Sequence, residues 1–196
     1  MIDKKGFRYG VAIILINEDN RIFWAKRIGN TGWQFPQGGM QEDETPREAM
    51  FRELYEEIGV TSDDVDIVAE SRRWLYYYLP KKFIRHHSKP LCIGQRQKWF
   101  LLKTKRPDVS FTFDTSDKPE FDGFRWINYW QPLKDVVYFK RKLYRRALRE
   151  FSSFIFPPDK RRRGDLLRRK SKDQRRESQN DPSSETSISS NDEKDG

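Results

Sequence analysis

Residues 38 to 60 read GGMQEDETPREAMFRELYEEIGV, and the punctuation of a single helix is written inside them. Thr45 suits the N-cap, Pro46 the first helical position, and Glu48, three residues past the cap, completes a capping box. Gly59 supplies the C-terminal stop, so a helix is predicted over Pro46 to Ile58. Within it Met50, Leu54 and Ile58 recur at i, i+4 and i+8 on one apolar stripe, while Glu53, Glu56 and Glu57 share another face. The helix is expected to present acid.

Three carboxylates at i, i+3 and i+4 come within reach of one ion, and hard oxygen ligands suit Mg²⁺ or Mn²⁺. Without a cation they repel, at roughly 0.2 to 0.5 kcal/mol per helical pair, and Glu42, Asp43 and Glu44 stand just before the helix. A solvated acidic face is the bland alternative.

Outward from the helix, alternating or short apolar runs predict strands at Arg8 to Ile16, Ile22 to Lys26, Val65 to Ser71, Arg73 to Tyr78, Gln95 to Lys103 and Phe124 to Ile127. A second helix is expected over Lys140 to Phe154, where Leu143, Ala147, Phe151 and Phe154 recur among Lys and Arg. After Pro157 and Pro158 the chain turns to KRRRGDLLRRKSKDQRR and then to Ser, Asn, Asp and Glu. Too little apolar surface is left there to offset ordering entropy, so the tail is expected to be disordered. The organisation is a domain over 1–156 and a tail over 157–196.

The 196 residues carry a formal charge of +9, of which 11 Lys/Arg and 9 Asp/Glu fall in the tail. The domain itself is therefore basic and favours anionic partners. No apolar run approaches the roughly 20 residues that span a bilayer, and no secretory leader is visible, so a cytoplasmic protein without a membrane partner is expected. Cys92 is the single cysteine and reads as a buried, inert thiol between Leu91 and Ile93. His86 and His87 lack metal-ligand spacing and carry no catalytic assignment.

The opening segment can also be written as Gly, five residues, Glu, seven residues, Arg-Glu, apolar, any, Glu-Glu, any, Gly, apolar. Gly38, Glu44, Arg52, Glu53, Leu54, Glu56, Glu57, Gly59 and Val60 fill every fixed position. In this the segment resembles the complete box of the Nudix hydrolase family. The resemblance implies an α/β Nudix fold, a mixed β-sheet sandwiched between α-helices, and metal-assisted hydrolysis of a phosphoanhydride. It implies Mg²⁺, with Mn²⁺ an alternative, held by Glu53, Glu56, Glu57 and the Gly38 backbone carbonyl. Arg52 and Glu44 would form a supporting ion pair. Two candidates stand for general base: Glu53, and Glu120 in KPEFDG, a distant glutamate that would also complete the metal site.

Over roughly residues 6 to 155 the segments FRYGVAIILIN, WQFPQGG, RRWLYYYLP, IGQRQKWFLL, EFDGFRWI and DVVYFKRKLYRR resemble the bacterial RNA pyrophosphohydrolases and related diadenosine polyphosphate hydrolases. The first of these implies a 5′-triphosphorylated or diphosphorylated RNA end as substrate, a 5′-monophosphate end as product, and onset of RNA decay. A triphosphate needs cations beyond the metals, and Arg8, Arg27 and Lys140 are candidates. Bases stack on aromatic or guanidinium planes. Phe139 with Arg27 is the candidate clamp, Val137 lines the same pocket, and Tyr77 stacks on a base or lies near the phosphates. Gln37 shapes the loop that approaches the box, and Gln95 lies near the phosphate path. A dinucleotide hydrolase and a noncatalytic RNA-binding module are the rival functions. A monomer is expected, and no residue identifies a protein activator.

Overall fold

The computed structural model describes residues 1–29, 32–87 and 89–157. The chain divides into two units, Met1–Phe156 and Pro157–Gly196. Of the second only Pro157 is described, so the disorder expected of the tail lies outside the described residues.

The first unit holds eight strands: β1 Phe7–Ile16, β2 Ile22–Arg27, β3 Trp33–Gln34, β4 Gln37–Gly39, β5 Val65–Glu70, β6 Leu75–Tyr78, β7 Gly94–Thr104 and β8 Phe121–Ile127. Its helices are α1 Pro46–Ile58, α2 Pro132–Asp135 and α3 Arg141–Ile155, with 3₁₀ turns at Lys81–Phe83 and Tyr138–Lys140. Strand β1 is buried without a break from Gly10 to Ile16 because it lies inside the sheet with structure on both faces. It runs parallel to β7 in register from Phe7↔Gly94 to Ile16↔Lys103, whereas every other pairing is antiparallel. The sheet order is β3-β2-β1-β7-β5, with β4 on β1, β6 on β7 and β8 on β2.

Alternation along the strands gives the sheet two apolar faces. Ala12, Ile14, Trp24, Trp99 and Leu101 face Leu143, Tyr144, Ala147 and Phe151 of α3. Val11, Ile13, Leu15, Phe23, Phe100 and Leu102 face Met50, Leu54 and Ile58 of α1. The mixed sheet lies between helices as the family resemblance implies. One expected core residue departs: Phe154 is exposed, and Ile155 closes the apolar stripe of α3 instead.

Three named elements went unread in the sequence: β3, β4 and the single-turn helix α2. Strands β3 and β4 are only two and three residues long and flank Phe35-Pro36. Phe35 is fully buried, 4.9 Å from both the Trp24 and Tyr144 rings and 5.7 Å from Trp99. Burial of that ring, rather than periodicity, fixes the segment, and so sets where Gln37, Gly38 and Gly39 lie against β1. No described helix is long and apolar enough to cross a membrane.

Candidate active site

Helix α1 forms with the caps its sequence predicts. The Thr45 hydroxyl accepts from the Glu48 amide at 3.3 Å, and the Glu48 carboxylate accepts from the Thr45 amide at 2.8 Å. Gly59 closes the helix at φ +69°, donating its amide to the Tyr55 carbonyl at 2.9 Å. No basic residue serves the last turn. Its carbonyls are met by the Thr115 hydroxyl, 2.8 Å from the Tyr55 oxygen and 2.7 Å from that of Glu56, and by the Thr112 amide on Ile58 at 3.1 Å. The segment that leads to Glu120 is thereby tied to the end of α1.

Arg52 organises the acids. Its guanidinium grips both oxygens of Glu44, at 2.7 and 2.9 Å, and donates to Glu53 at 2.8 Å, Glu56 at 3.1 Å and the Gly39 carbonyl at 2.8 Å. The bond from Arg52 holds the Glu44 carboxyl below its usual range. Glu53 and Glu57 are 8% and 6% exposed. Two of the three glutamates turn inward under β4, so the bland alternative of a solvated acidic face does not hold for Glu53 and Glu57. Their helical spacing could not distinguish a wet face from one covered by another strand.

Glu57 accepts from the Gln37 amide at 2.7 Å, while its second oxygen is buried without a hydrogen-bond partner. Burial pushes its carboxyl well up, reinforced by the charges of Glu120 and Glu53. Burial also raises Glu53, opposed by Arg52 and reinforced by Glu56 and Glu120. Glu120, exposed just before β8, is thus close enough to act electrostatically on both. Gly38 completes the cradle: a side chain there would occupy the space of the Glu53 carboxylate.

As placed, Arg52 holds Glu53 and Glu56 while Glu57 turns to Gln37, and no trio of His, Cys, Asp or Glu among the described residues is gathered as a metal site. The donor set nevertheless fits a hard divalent ion. It consists of carboxylate oxygens, two of the glutamates are buried with raised proton affinity, and one buried oxygen is orphaned. A cation beside them would relieve both the repulsion and the unmet acceptor.

The expected phosphate contacts lie along a path from this cradle. The Arg8 guanidinium packs where a side chain on Gly39 would stand. Register places Arg8 beside Gln95 on β7, and Gln95 beside Tyr77 on β6. Lys140, by contrast with an exposed phosphate ligand, is 8% exposed and donates to the Gln37 side chain at 3.2 Å. Its ammonium lies 5.7 Å from the centre of the Tyr77 ring. Burial lowers its pKa to about 8, helped by Arg27 and opposed by Glu120 and Glu57. Arg27 is therefore within electrostatic reach of Lys140, whose chain neighbour is Phe139.

Tyr77 is 6% exposed and 5.8 Å from the Phe139 ring, so it backs Phe139 rather than offering a free face of its own. Its neighbours Tyr76 and Tyr78 point to the other side and are exposed, as strand alternation predicts. Val137 is exposed two residues before Phe139. His86 and His87 lie exposed in a turn. Cys92 is only partly buried, donating to the Gly94 carbonyl at 3.3 Å, which corrects the expectation of a core thiol: its loop lies outside the sheet. Gly10 and Gly39 were not singled out in the sequence. A side chain on Gly10 would strike the Gly38 carbonyl, and Gly39 makes room for Arg8. The doubled glycine of WQFPQGG was the available signal for the second.

Comparison with known proteins places this geometry in a family. The NUDIX domain family model matches residues 6–147. The chain is 57% identical over 150 residues to a Marinomonas protein named RNA pyrophosphohydrolase, spanning 76% of this chain and 93% of that one. It is 54% identical over 157 residues to a Vibrio vulnificus protein of the same name, spanning 80% and 91%. Among solved structures, a C. elegans Ap4A hydrolase in a binary complex superposes with a TM-score of 0.56 at 17% identity, covering 76% of this chain and 97% of its own. The E. coli dihydroneopterin triphosphate pyrophosphohydrolase gives 0.56 at 19%, covering 74% and 96%. At such identities the two structures speak for the fold alone.

Proposed function

Because the chain belongs to the NUDIX family, we propose that it is an RNA pyrophosphohydrolase that converts 5′-triphosphorylated or diphosphorylated RNA ends to 5′-monophosphate ends. The observation that carries this reading is the high identity, over nearly the whole of their length, to bacterial proteins of that name. The cationic and aromatic path beside the buried glutamates supports it. The product end opens the transcript to decay, in an enzyme taken to be cytoplasmic and monomeric, with a protein activator as a further partner.

Water adds its oxygen to the RNA-side phosphorus as the anhydride bond breaks, and pyrophosphate, or phosphate from a diphosphate end, departs. Glu53, Glu56, Glu57, Glu120 and the Gly38 carbonyl would hold Mg²⁺ or Mn²⁺, which when bound would supply charge neutralisation and lower the pKa of the attacking water. Glu53 or Glu120 takes the water's proton. Arg52 positions the glutamates through the bonds described above, and the Gln37 amide orients Glu57. Arg8 and Lys140 hold phosphate oxygens, with Gln95 beside them. Phe139 and Arg27 clamp a base near the 5′ end, Val137 lines that pocket, and Tyr77 backs Phe139.

The test is release of labelled phosphate by the full chain from a short 5′-triphosphorylated RNA, beside diadenosine tetraphosphate, with and without Mg²⁺. Metal-dependent formation of 5′-monophosphate RNA that outpaces dinucleotide cleavage and disappears in Glu53→Ala is expected. Cleavage of the dinucleotide alone would keep the chemistry and refute the substrate. RNA binding without hydrolysis in either metal would make the protein a binding module.

A further inference from the structure

Two clefts meet along α3, outside the glutamate cradle. The first, about 340 Å³, is lined by Tyr76, Tyr77, Tyr78 and Phe139 together with Lys142 and Arg146. The second, about 430 Å³, continues it past Arg146 to Arg149, with Arg72 and Arg73 on the facing turn. Arg146 belongs to both, so they form one groove. Lys142, Arg146 and Arg149 stand at i, i+4 and i+7, a single stripe on the outer side of a helix whose inner side is the buried core.

Three properties of the groove select its occupant. The five cations make no ion pair among the described residues, so their charge is uncommitted. The one acid there, Glu150, is engaged by the Arg72 amide at 2.6 Å. The aromatic rings at one end are those of Tyr77 and Phe139, 5.8 Å apart, whereas the exposed rings of Tyr76 and Tyr78 turn to the opposite face of the sheet against Phe7 and leave only their strand at the rim. That end is where Phe139, the proposed base clamp, forms the wall. A base clamp at Phe139 leading into a row of free guanidinium groups matches a single strand of bases and phosphates better than a purely acidic peptide, which has no use for the aromatic wall. The 15 residues of α3 extend about 22 Å, room for several nucleotides.

Resting on the RNA reading above, we propose that this groove is a track for the single-stranded RNA that follows the 5′-terminal nucleotides, gripping its backbone through Arg146 and Arg149 as it leaves the base clamp at Phe139. The enzyme then holds a longer transcript by more than its reacting end, without any sequence code.

Binding by the full chain in EDTA, where no turnover intervenes, is measured by anisotropy for 5′-triphosphorylated RNAs of three and fifteen nucleotides across a salt series. The wild type is expected to bind the longer RNA more tightly, with a steeper salt dependence. In R146A/R149A the longer RNA should lose that advantage, its log Kd against log salt slope becoming shallower by about 1.4 for two lost phosphate contacts. Tyr76→Ala, whose ring lies on the opposite face of the sheet, should keep the length advantage and serves as the control. Turnover of the trimer with Mg²⁺ should be unchanged in these variants, whose altered side chains are surface groups. Equal affinity for both lengths, or a full length advantage kept in R146A/R149A, overturns the track and leaves the groove to an acidic protein. Failure of the wild type to hydrolyse even the trimer sinks the functional reading instead, and is read separately from binding.

Discussion

Replacing Gly38 by alanine adds one methyl group at a position where the Glu53 carboxylate already stands. The new carbon would lie well inside 3.0 Å of all three atoms of the carboxyl group. Ordinary packing begins at about 3.5 Å, so the carboxylate must withdraw by on the order of 1 Å or more. It cannot do so freely, since Arg52 holds it at 2.8 Å and the residue is 8% exposed. Overpacking of this sort destabilises by about 1 to 3 kcal/mol. For a protein of this size that lowers Tm by roughly 2 to 4 °C per kcal/mol. Displacement of a reacting group by about 1 Å reduces turnover on the order of a hundredfold. The matched control is Gly123→Ala in β8, where an added methyl meets nothing within 4 Å. Thermal unfolding and hydrolysis of 5′-triphosphorylated RNA are measured on both. Gly38→Ala should lose both stability and about two decades of kcat/KM, while Gly123→Ala stays near wild type. A Gly38→Ala enzyme within threefold of wild type would refute the argument that this glycine is required by the Glu53 carboxylate.

Arg52→Met should destabilise the protein by about 3 kcal/mol, since it strands the nearly buried acids Glu44 and Glu53 without their shared cation; chemical denaturation with an unchanged m-value is the check. Glu57→Gln keeps an acceptor for the Gln37 amide but removes a buried charge with an orphaned oxygen. At a Mg²⁺ or Mn²⁺ concentration of 100 Kd the wild type should gain about 2.7 kcal/mol, roughly 5 to 10 °C in Tm, and the variant much less, as read by thermal scans with and without metal. Because Glu44 has its proton affinity lowered by Arg52, its contribution is present above a pH of about 4.5 and is lost as pH falls through the folded-state value. The stability gap between wild type and Glu44→Gln should therefore narrow in acid, and a gap that widens there contradicts the pairing.

Helix α1 was legible because its signals are local: Thr45, Pro46, Glu48 and Gly59 each act within one turn of the element they bound. Six strands were legible for the same reason, since alternation is a property of neighbouring residues. What escaped was everything decided by distant contacts. Phe35 fixes β3 and β4 through three rings from β2, β7 and α3, none of which is its neighbour in sequence. Glu53 and Glu57 have the spacing of a solvated face, and only the strand laid over them makes them buried. Lys140 was legible as a candidate phosphate contact from its charge, but its burial was not, because its partner Gln37 lies 103 residues away. Arg8, Gln95 and Tyr77 become neighbours through strand register alone.

The parallel pairing of β1 with β7 also bears on how the chain is born. Each β1 residue finds its β7 partner 87 positions later, from Phe7↔Gly94 to Ile16↔Lys103. Closing a loop of that length costs about 4 kcal/mol beyond a constant before the first central contact is rewarded. Native pairings of such separation form slowly. During synthesis the six-residue run Val11 to Ile16, apolar throughout and rich in β-branched side chains, must therefore wait on the ribosome without its partner. Strand β7 is the rescuer of a segment prone to self-association, so substitutions that delay its docking should reduce soluble yield before they measurably change the finished fold.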